Sequence, residues 1–376
     1  MTLERIESKR VLVRFDFNVP MDGKKIINDF RIKQSLDTIY TLLEKNNKIL
    51  IASHLGRPKE GEYDKKLSMR PICDYLSKLI EKKIKFIDSC PDIIDFEDYQ
   101  IAMLENVRFN TGEKSCSRQL SNKLASYVDC FVFDAFGVSH RKECTTYGVS
   151  EYLETYSGLN IQHEIQTINK LINENSKPMT IIISGAKVST KLIVIKKLLN
   201  KCDHMILGGG ILNTFLKAKG YEIGQSLYEE SLVDEAKSII NSSDASKIIF
   251  PTDLACETTS MKKNIELTSI SENDIIYDIG PKAIENIKDI VNKSSSIFWN
   301  GPLGYVEKKP FDTGTIELAK AIAQHKCFSI VGGGDTLPII ESLKLQNKYS
   351  CLSTGGGSLL TYLEGGSLPI LNKLNI

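Results

Sequence analysis

Charge of one sign is what this chain most clearly lacks. It has 48 Lys and Arg against 47 Asp and Glu, a formal net charge of +1 over 376 residues. Such a balance excludes bulk attraction to nucleic acid or to an anionic membrane, so any positive patch has to be local. Long apolar runs are missing too, and none approaches the roughly 20 residues of a bilayer span. The opening stretch MTLERIESKRVLVRF has no apolar signal-peptide core, so a cytoplasmic protein is expected. Nine cysteines occur, an odd number with no CxxC pair, which argues against a disulfide framework and for reduced thiols in the core or on the surface. No fixed-period repeat and no extended low-complexity tract appears. GxxxxGK[ST] is absent, and GGGILN lacks the third glycine of GxGxxG, so neither familiar nucleotide fingerprint is present.

What is present is an alternation. Short apolar runs recur at 11–15, 48–52, 85–87, 102–104, 131–133, 180–183, 204–207, 247–250, 297–299 and 328–331, mostly ending at Gly, Asn, Asp or Ser. Between them, helical spacing runs over 31–44, 69–81, 191–199 and 315–324. Strands alternating with helices imply an α/β fold with parallel sheets covered on both faces, whose ligands sit at the carboxyl ends of strands. The length favours two domains. The join is expected at Ser157–Gly158, followed by a helix to about Glu174 and a new strand after Pro178.

Glycine triplets occur at 208–210, 332–334 and 355–357, each before a helical pattern. One triplet is as readily a tight turn as a binding loop. Three favour anion binding, because glycine lets backbone approach oxygens and a helix N-terminus offers unpaired N–H groups. SGAKVSTK places Lys187 and Lys191 four apart, on one face if helical, either as a solvated face or as a grip on phosphates. Asp335 is placed either to hold a divalent metal or to cap a helix, and Thr336 has the same two readings. Arg14, Arg31, His54, Arg57, Arg108 and Arg141 lie mostly at strand ends, in VRFDFN, ASHLGRP, LENVRF and DAFGVSHR. Each is ordinary surface charge alone. Gathered at one mouth of a parallel sheet, they suit a small phosphorylated acid, with Asp16 and Asn18 for its hydroxyls.

These stretches together resemble the phosphoglycerate kinase family, in its bacterial form. VRFDFNVP, NDFRIK, SHLGRP, LENVRF, DAFGVSHR, SGAKVSTK, GGGILNTFLKAKG, YDIGP, WNGPLGYVE, VGGGDT and STGGGS follow one another in order, nearly end to end. The resemblance implies two Rossmann-like lobes: 1–157, with 358–376 returning to it, for 3-phosphoglycerate or 1,3-bisphosphoglycerate, and 175–357 for MgADP or MgATP. A hinge helix, 158–174, would join them in a monomer. It implies that Asp16, Asn18 and Arg31 contact the glycerate side, and that His54, Arg57, Arg108 and Arg141 hold the substrate phosphate. Lys187 and Lys191 would bind nucleotide phosphates, Gly185, Ala186, Gly208 and Gly209 the adenine, Asn300 and Pro302 the adjoining loop, and Glu307 the ribose. Gly333, Gly334, Asp335 and Thr336 would hold the phosphate–Mg²⁺ end, and the Gly355–Gly357 amides would face the moving phosphoryl group. Arg31, Lys187, Gly333 and Gly356 would form the catalytic set.

Val138 and Ser139 stand where the family commonly has Thr and Ala, which would cost one hydroxyl contact. The segment 84–101 looks shortened, with a degenerate small-residue motif near Cys90. The implied chemistry needs no general base, since a carboxylate with a pKa of about 4 is already ionised at neutral pH. His54 and His140 then read as ligands or positioning groups. What remains is alignment, charge stabilisation and a hinge closure that excludes water. Two rival readings are a catalytically weak nucleotide-binding protein and a different acyl-phosphate-forming kinase. The intact Lys and Asp set opposes the first, and the full Arg/His set opposes the second.

Overall fold

Runs such as Lys48–Ala52, Cys130–Asp134 and Ser296–Asn300 are apolar almost without interruption because parallel strands are covered on both faces. The computed structural model describes residues 3–88, 94–173 and 176–374. The chain divides into two compact units, Met1–Gln166 with Gly357–Tyr362 and Gly366–Ile376, and Thr167–Gly356 with Leu363–Gly365.

The first unit runs β1 (Arg10–Phe15), a hairpin of β2 (Met21–Asp22) and β3 (Lys25–Ile26), α1 (Phe30–Gln34), α2 (Leu36–Glu44) and β4 (Lys48–Ala52). It continues with α3 (Arg70–Leu79), β5 (Ile84–Ile87), β6 (Ile101–Leu104), α4 (Arg118–Ser126), β7 (Cys130–Asp134) and β8 (Thr155–Ser157). Apart from the hairpin, its strands form one parallel sheet in the order β5-β6-β4-β1-β7-β8, with Val13 of β1 opposite Ile51 and Val132. Val11, Val13, Ile49, Ile51 and Val132 pack with Ile39, Leu42, Ile72 and Leu76 of α2 and α3 in one buried core.

After β8 comes α5 (Leu159–Asn173), whose start is fixed by β7. Asp134 accepts from the Ile161 N–H (2.8 Å) and from Thr38 Oγ1 (2.6 Å). Gly158 lies so close that a Cβ there would sit 2.1 Å from Asp134 Cγ, so only glycine fits. Burial pushes the Asp134 carboxyl up to about 6, against the pull of these donors.

The second unit holds β9 (Met179–Ser184), α6 (Leu192–Leu199), β10 (His204–Gly208), α7 (Gly209–Ala218), α8 (Val233–Ile240) and β11 (Ile248–Ile249). Then come β12 (Asp253–Thr258), β13 (Met261–Glu266), β14 (Ile275–Ile279), α9 (Pro281–Lys293), β15 (Ser296–Asn300) and α10 (Thr313–Gln324). β16 (Phe328–Gly332), α11 (Leu337–Ser342) and β17 (Cys351–Ser353) complete it. The main sheet is parallel, in the order β11-β10-β9-β15-β16-β17, and β13-β12-β14 form a separate antiparallel sheet. α12 (Gly357–Leu363) and α13 (Leu371–Leu374) follow.

Two parallel α/β sheets are what the sequence leads one to expect, but several details differ. The single helix expected over 31–44 is two, because Ser35 ends α1, its Oγ donating to the Ile32 carbonyl (2.7 Å), and starts α2. The strand expected at 247–250 shrinks to Ile248–Ile249 behind a 3-10 turn, Ala245–Lys247. The antiparallel sheet and the short strands β8 and β17 have no counterpart in the sequence reading. The degenerate motif near Cys90 and the helix end at Glu174 lie outside the described residues. The eight described cysteines are free thiols. Among the described residues no helix is long and apolar enough to cross a membrane.

Candidate active site

In the first unit, the expected ligand-binding residues do meet beyond the carboxyl ends of β1, β4, β6 and β7. Arg14, Asp16 and Asn18 leave β1, His54 follows β4, Arg108 follows β6, and His140 and Arg141 follow β7. Arg14 is fully buried and donates to Thr145 Oγ1 (3.1 Å) and to His54 Nδ1 (3.0 Å). A guanidinium only donates, so His54 accepts at Nδ1 and carries its proton on Nε2. Burial holds the His54 imidazole well below its ordinary value, despite Asp16 at 3.9 Å. Asp16 pairs with Arg31. Burial alone would raise its carboxyl, but Arg31, His54 and Arg14 together hold it below the usual range.

Asn18 Oδ1 accepts the Gly56 N–H (2.8 Å), and Arg108 donates to the Gly56 carbonyl (2.9 Å). Two sequence motifs, VRFDFN and SHLGRP, are thereby tied to a third, LENVRF. Arg108 and Arg141 both approach Glu143 Oε1, at 3.4 and 3.3 Å. His140 Nδ1 hydrogen-bonds Ser358 Oγ (2.6 Å), so the motif STGGGS reaches the same unit through α12. Burial lowers His140 as well, helped by Arg141. Arg57 is exposed on the loop after β4. Val138 and Ser139 are both buried, and Ser139 Oγ donates to the Phe136 carbonyl (2.8 Å). Behind this layer Glu113 Oε1 accepts from the Thr145 N–H (3.1 Å) and hydroxyl. Burial pushes its carboxyl up to about 7, against the pull of Thr145 and Arg14.

The second unit builds its site from backbone. A cavity of about 340 Å³ is lined by Gly185, Ala186, Gly209, Pro302, Glu307 and Asp335 among the expected residues. Gly209 and Gly210 are the first turn of α7, not a loop before it. A Cβ on Gly210 would lie 2.3 Å from the Ala186 carbonyl oxygen, so the helix start presses directly on the 185–186 loop. Gly208 instead ends β10, against Ser184 and Leu303.

Residues 185–191 are not helical, so the shared helical face expected for Lys187 and Lys191 does not exist. Val188 is fully buried and pins the loop, accepting the Lys191 N–H (2.8 Å), while Glu229 accepts the Ser189 N–H (2.8 Å). Lys187 is left exposed and Lys191 turns inward. Its ammonium donates to the Ser184 carbonyl and approaches that of Asn300 (3.4 Å). Burial lowers Lys191 to about 8, with Asp335 opposing.

Ser184 Oγ donates to the Pro302 carbonyl, and Asn300 is buried at the end of β15. Gly333, at φ +116°, turns the chain after β16, and Gly334 and Asp335 are exposed beside it. Thr336, not Asp335, holds the cap position of α11, with no side-chain cap bond. The Gly355 N–H donates to Ser353 Oγ (3.1 Å), and Gly356 adopts φ +49°.

Asn213, Leu227, Ile276, Tyr277 and Tyr305 also line the cavity and have no part in the sequence reading. Tyr277 and Tyr305 stand inside YDIGP and WNGPLGYVE, so the signal was present as an aromatic in each motif. In the first unit a further cavity of about 670 Å³, lined by Lys24, Lys25, Arg70, Tyr75 and Phe86 among others, holds none of the expected residues.

With this geometry in place, known proteins give a concordant result. The family model for phosphoglycerate kinase matches residues 2–366. A phosphoglycerate kinase of Francisella philomiragia is 41% identical over 98% of this chain and 96% of its own. One of Legionella pneumophila is 42% identical over 97% of this chain and 94% of its own. The solved phosphoglycerate kinase of Coxiella burnetii superposes with a TM-score of 0.87 at 37% identity, covering 98% of this chain and 96% of the other. That of Pyrococcus horikoshii gives 0.84 at 29%, with the same coverage.

Proposed function

The chain belongs to the phosphoglycerate kinase family, and we propose that its two units divide that reaction's substrates between them. The activity itself is reversible phosphoryl transfer between 1,3-bisphosphoglycerate and ADP, with a carboxyl group as acceptor in the ATP-consuming direction. In the proposed division the first unit takes the phosphoglycerate and the second the nucleotide. The observation that carries it is the meeting at one end of a parallel sheet of two groups, Asp16 paired with Arg31 beside His54, and Arg108 and Arg141 sharing Glu143.

In this reading Arg108, Arg141 and Arg57 bind the substrate phosphate, and Asp16 and Asn18 its glycerate oxygens. His54 offers Nε2–H as a neutral donor, consistent with its lowered basicity. No base is needed, and none of these groups is asked to remove a proton. Arg31 and Lys187 lie on the two sides of the transfer and stabilise the charge that spreads over the moving phosphoryl group. Lys191, held at the Ser184 and Asn300 carbonyls, turns to nucleotide phosphates. Gly185, Ala186, Gly208 and Gly209 accept the base, with Asn300 and Pro302 beside it and Glu307 at the ribose. Gly333, Gly334, Thr336 and Gly356 present backbone to the phosphates.

The residues fit a magnesium ion carried in with the nucleotide. Among the described residues no cluster of three acidic, His or Cys ligands exists, while Asp335 stands alone and exposed at the cavity. One carboxylate suffices for an ion held mainly by phosphates and water. Bound there, it would neutralise phosphate charge. Transfer in line requires the two ligands to be brought together, so closure about α5 belongs to the proposal, as do a monomeric state and a cytoplasmic location. A variant stiffened at α5 should bind each substrate normally and turn over slowly.

The test is ATP formation from MgADP and 1,3-bisphosphoglycerate. Arg31→Ala and Lys187→Ala should each lose on the order of 100-fold or more in turnover. Retained turnover in either would remove that residue from the transfer.

A further inference from the structure

The stretch Arg141-Lys-Glu-Cys-Thr-Thr146 puts a carboxylate into the middle of an arginine cluster. Its backbone has little freedom. The Glu143 N–H donates to Thr146 Oγ1 (3.0 Å), its carbonyl accepts from Tyr147 (2.9 Å) and Gly148 (3.0 Å), and the Cys144 N–H donates to the Glu113 carbonyl (2.9 Å). The side chain is only 7% exposed and is aimed at Arg108 and Arg141. A settled, charge-assisted pair would close to roughly 2.7–2.9 Å and use both carboxylate oxygens. Here one oxygen is shared between two guanidinium groups, at 3.4 and 3.3 Å. The other oxygen, Arg108 Nε and Arg141 Nε are all buried with no protein partner. Three unsatisfied polar atoms in one buried cluster mark a network that its own members do not complete.

We infer that Glu143 is an internal counter-anion that sets the affinity of the first-unit site for its phosphorylated ligand. This rests on the reading that Arg108 and Arg141 hold the substrate phosphate. With the site empty, Glu143 offsets part of the positive charge of the two arginines. When a phosphate dianion arrives, it meets the arginine pair from the half-exposed side of Arg141, and Glu143 becomes a like charge at short range. Glu143 thus weakens binding of the dianion and speeds its departure, while orienting both forks beforehand. It touches no reacting atom and acts through the arginines, as a positioning and affinity-setting residue.

Glu143→Gln separates the two roles, because the amide keeps an acceptor for both arginines and removes the charge. Titration calorimetry on the full-length protein should show 3-phosphoglycerate binding tighter by about fivefold to tenfold at low ionic strength. The gap should narrow as salt is raised, with KM falling in step and MgADP affinity unmoved. Glu143→Met, also neutral and of similar volume, carries the same prediction should the Gln protein fail to fold. Equal or weaker 3-phosphoglycerate binding in a folded neutral variant, or a gap indifferent to salt, would overturn the inference. Arg108→Ala and Arg141→Ala serve as controls and should each weaken 3-phosphoglycerate. If neither does, the underlying substrate reading fails, and the two failures are told apart.

Discussion

On the proposed division of substrates, the first unit would meet its ligand with guanidinium and imidazole groups sunk into protein, and the second with backbone amides and two lysines. Arg14 and Arg108 are 0% and 2% exposed, and they are held by Thr145, His54, Gly56 and Glu143. Lys187 is exposed, and Gly209 and Gly210 press against carbonyls of the neighbouring loop. The first site therefore carries its electrostatic cost in the folded state, as buried charge that needs partners. The second carries a steric requirement, the absence of side chains where two loops meet. Acid–base behaviour should divide the same way, appearing as stability in the first unit and as affinity in the second.

The largest effect expected from this contrast is on stability. Glu113 is pushed from an ordinary 4.5 to about 7 by burial. Its folded value is the higher one, so its contribution is fully present below the unfolded value and lost as pH rises through about 7. That amounts to about 3 kcal/mol between pH 4 and 8. Between pH 4 and 8 the unfolding free energy of wild type should fall by about this much more than that of Glu113→Gln, read from denaturant titrations at each pH. Parallel curves would show that Glu113 is not a titrating part of the first network.

A smaller effect should follow from filling the second site's glycine contact. Gly210→Ala places a methyl group 2.3 Å from the Ala186 carbonyl oxygen. Overpacking of this kind costs about 1–3 kcal/mol; if that cost falls on the loop that meets the nucleotide, MgADP affinity should fall by roughly 5- to 150-fold. Undiminished MgADP binding would mean that the 185–186 loop yields freely and the steric account is wrong.

Smallest is the pH dependence of nucleotide binding. Lys191, lowered to about 8 by burial, is charged below that value and neutral above it. MgADP affinity should therefore drop by about tenfold from pH 7 to 9. Lys191→Arg, which stays charged, should flatten that profile even if its affinity is lower throughout. An unchanged slope in the Arg protein would assign the titration to another group.

The part of this that could be read from sequence follows burial. β1, β4, β7, β9 and β15 are legible because a strand covered on both faces is written in apolar residues. β13, MKKNIE, has no buried residue and reads as loop. Ser35 breaks a helix through one hydroxyl contact that no apolar spacing records. At the site, the arginines stood out by recurring at strand ends, and the glycines by recurring in threes. Glu113 and Glu143 did not stand out, because an acidic residue in TGEKS or RKECT looks like solvated surface until the fold buries it. The i, i+4 spacing of Lys187 and Lys191 misled for the opposite reason, since Val188 anchors a loop where the spacing suggested a helix.

The central claim is that each unit binds one substrate by its own means. Calorimetric titration of 3-phosphoglycerate and of MgADP, each alone, into wild type, Arg108→Ala and Gly210→Ala tests it most directly. The prediction is a crossed pattern, with Arg108→Ala losing 3-phosphoglycerate and keeping MgADP, and Gly210→Ala doing the reverse. If either variant weakens both ligands alike, the division of substrates between the two units is contradicted.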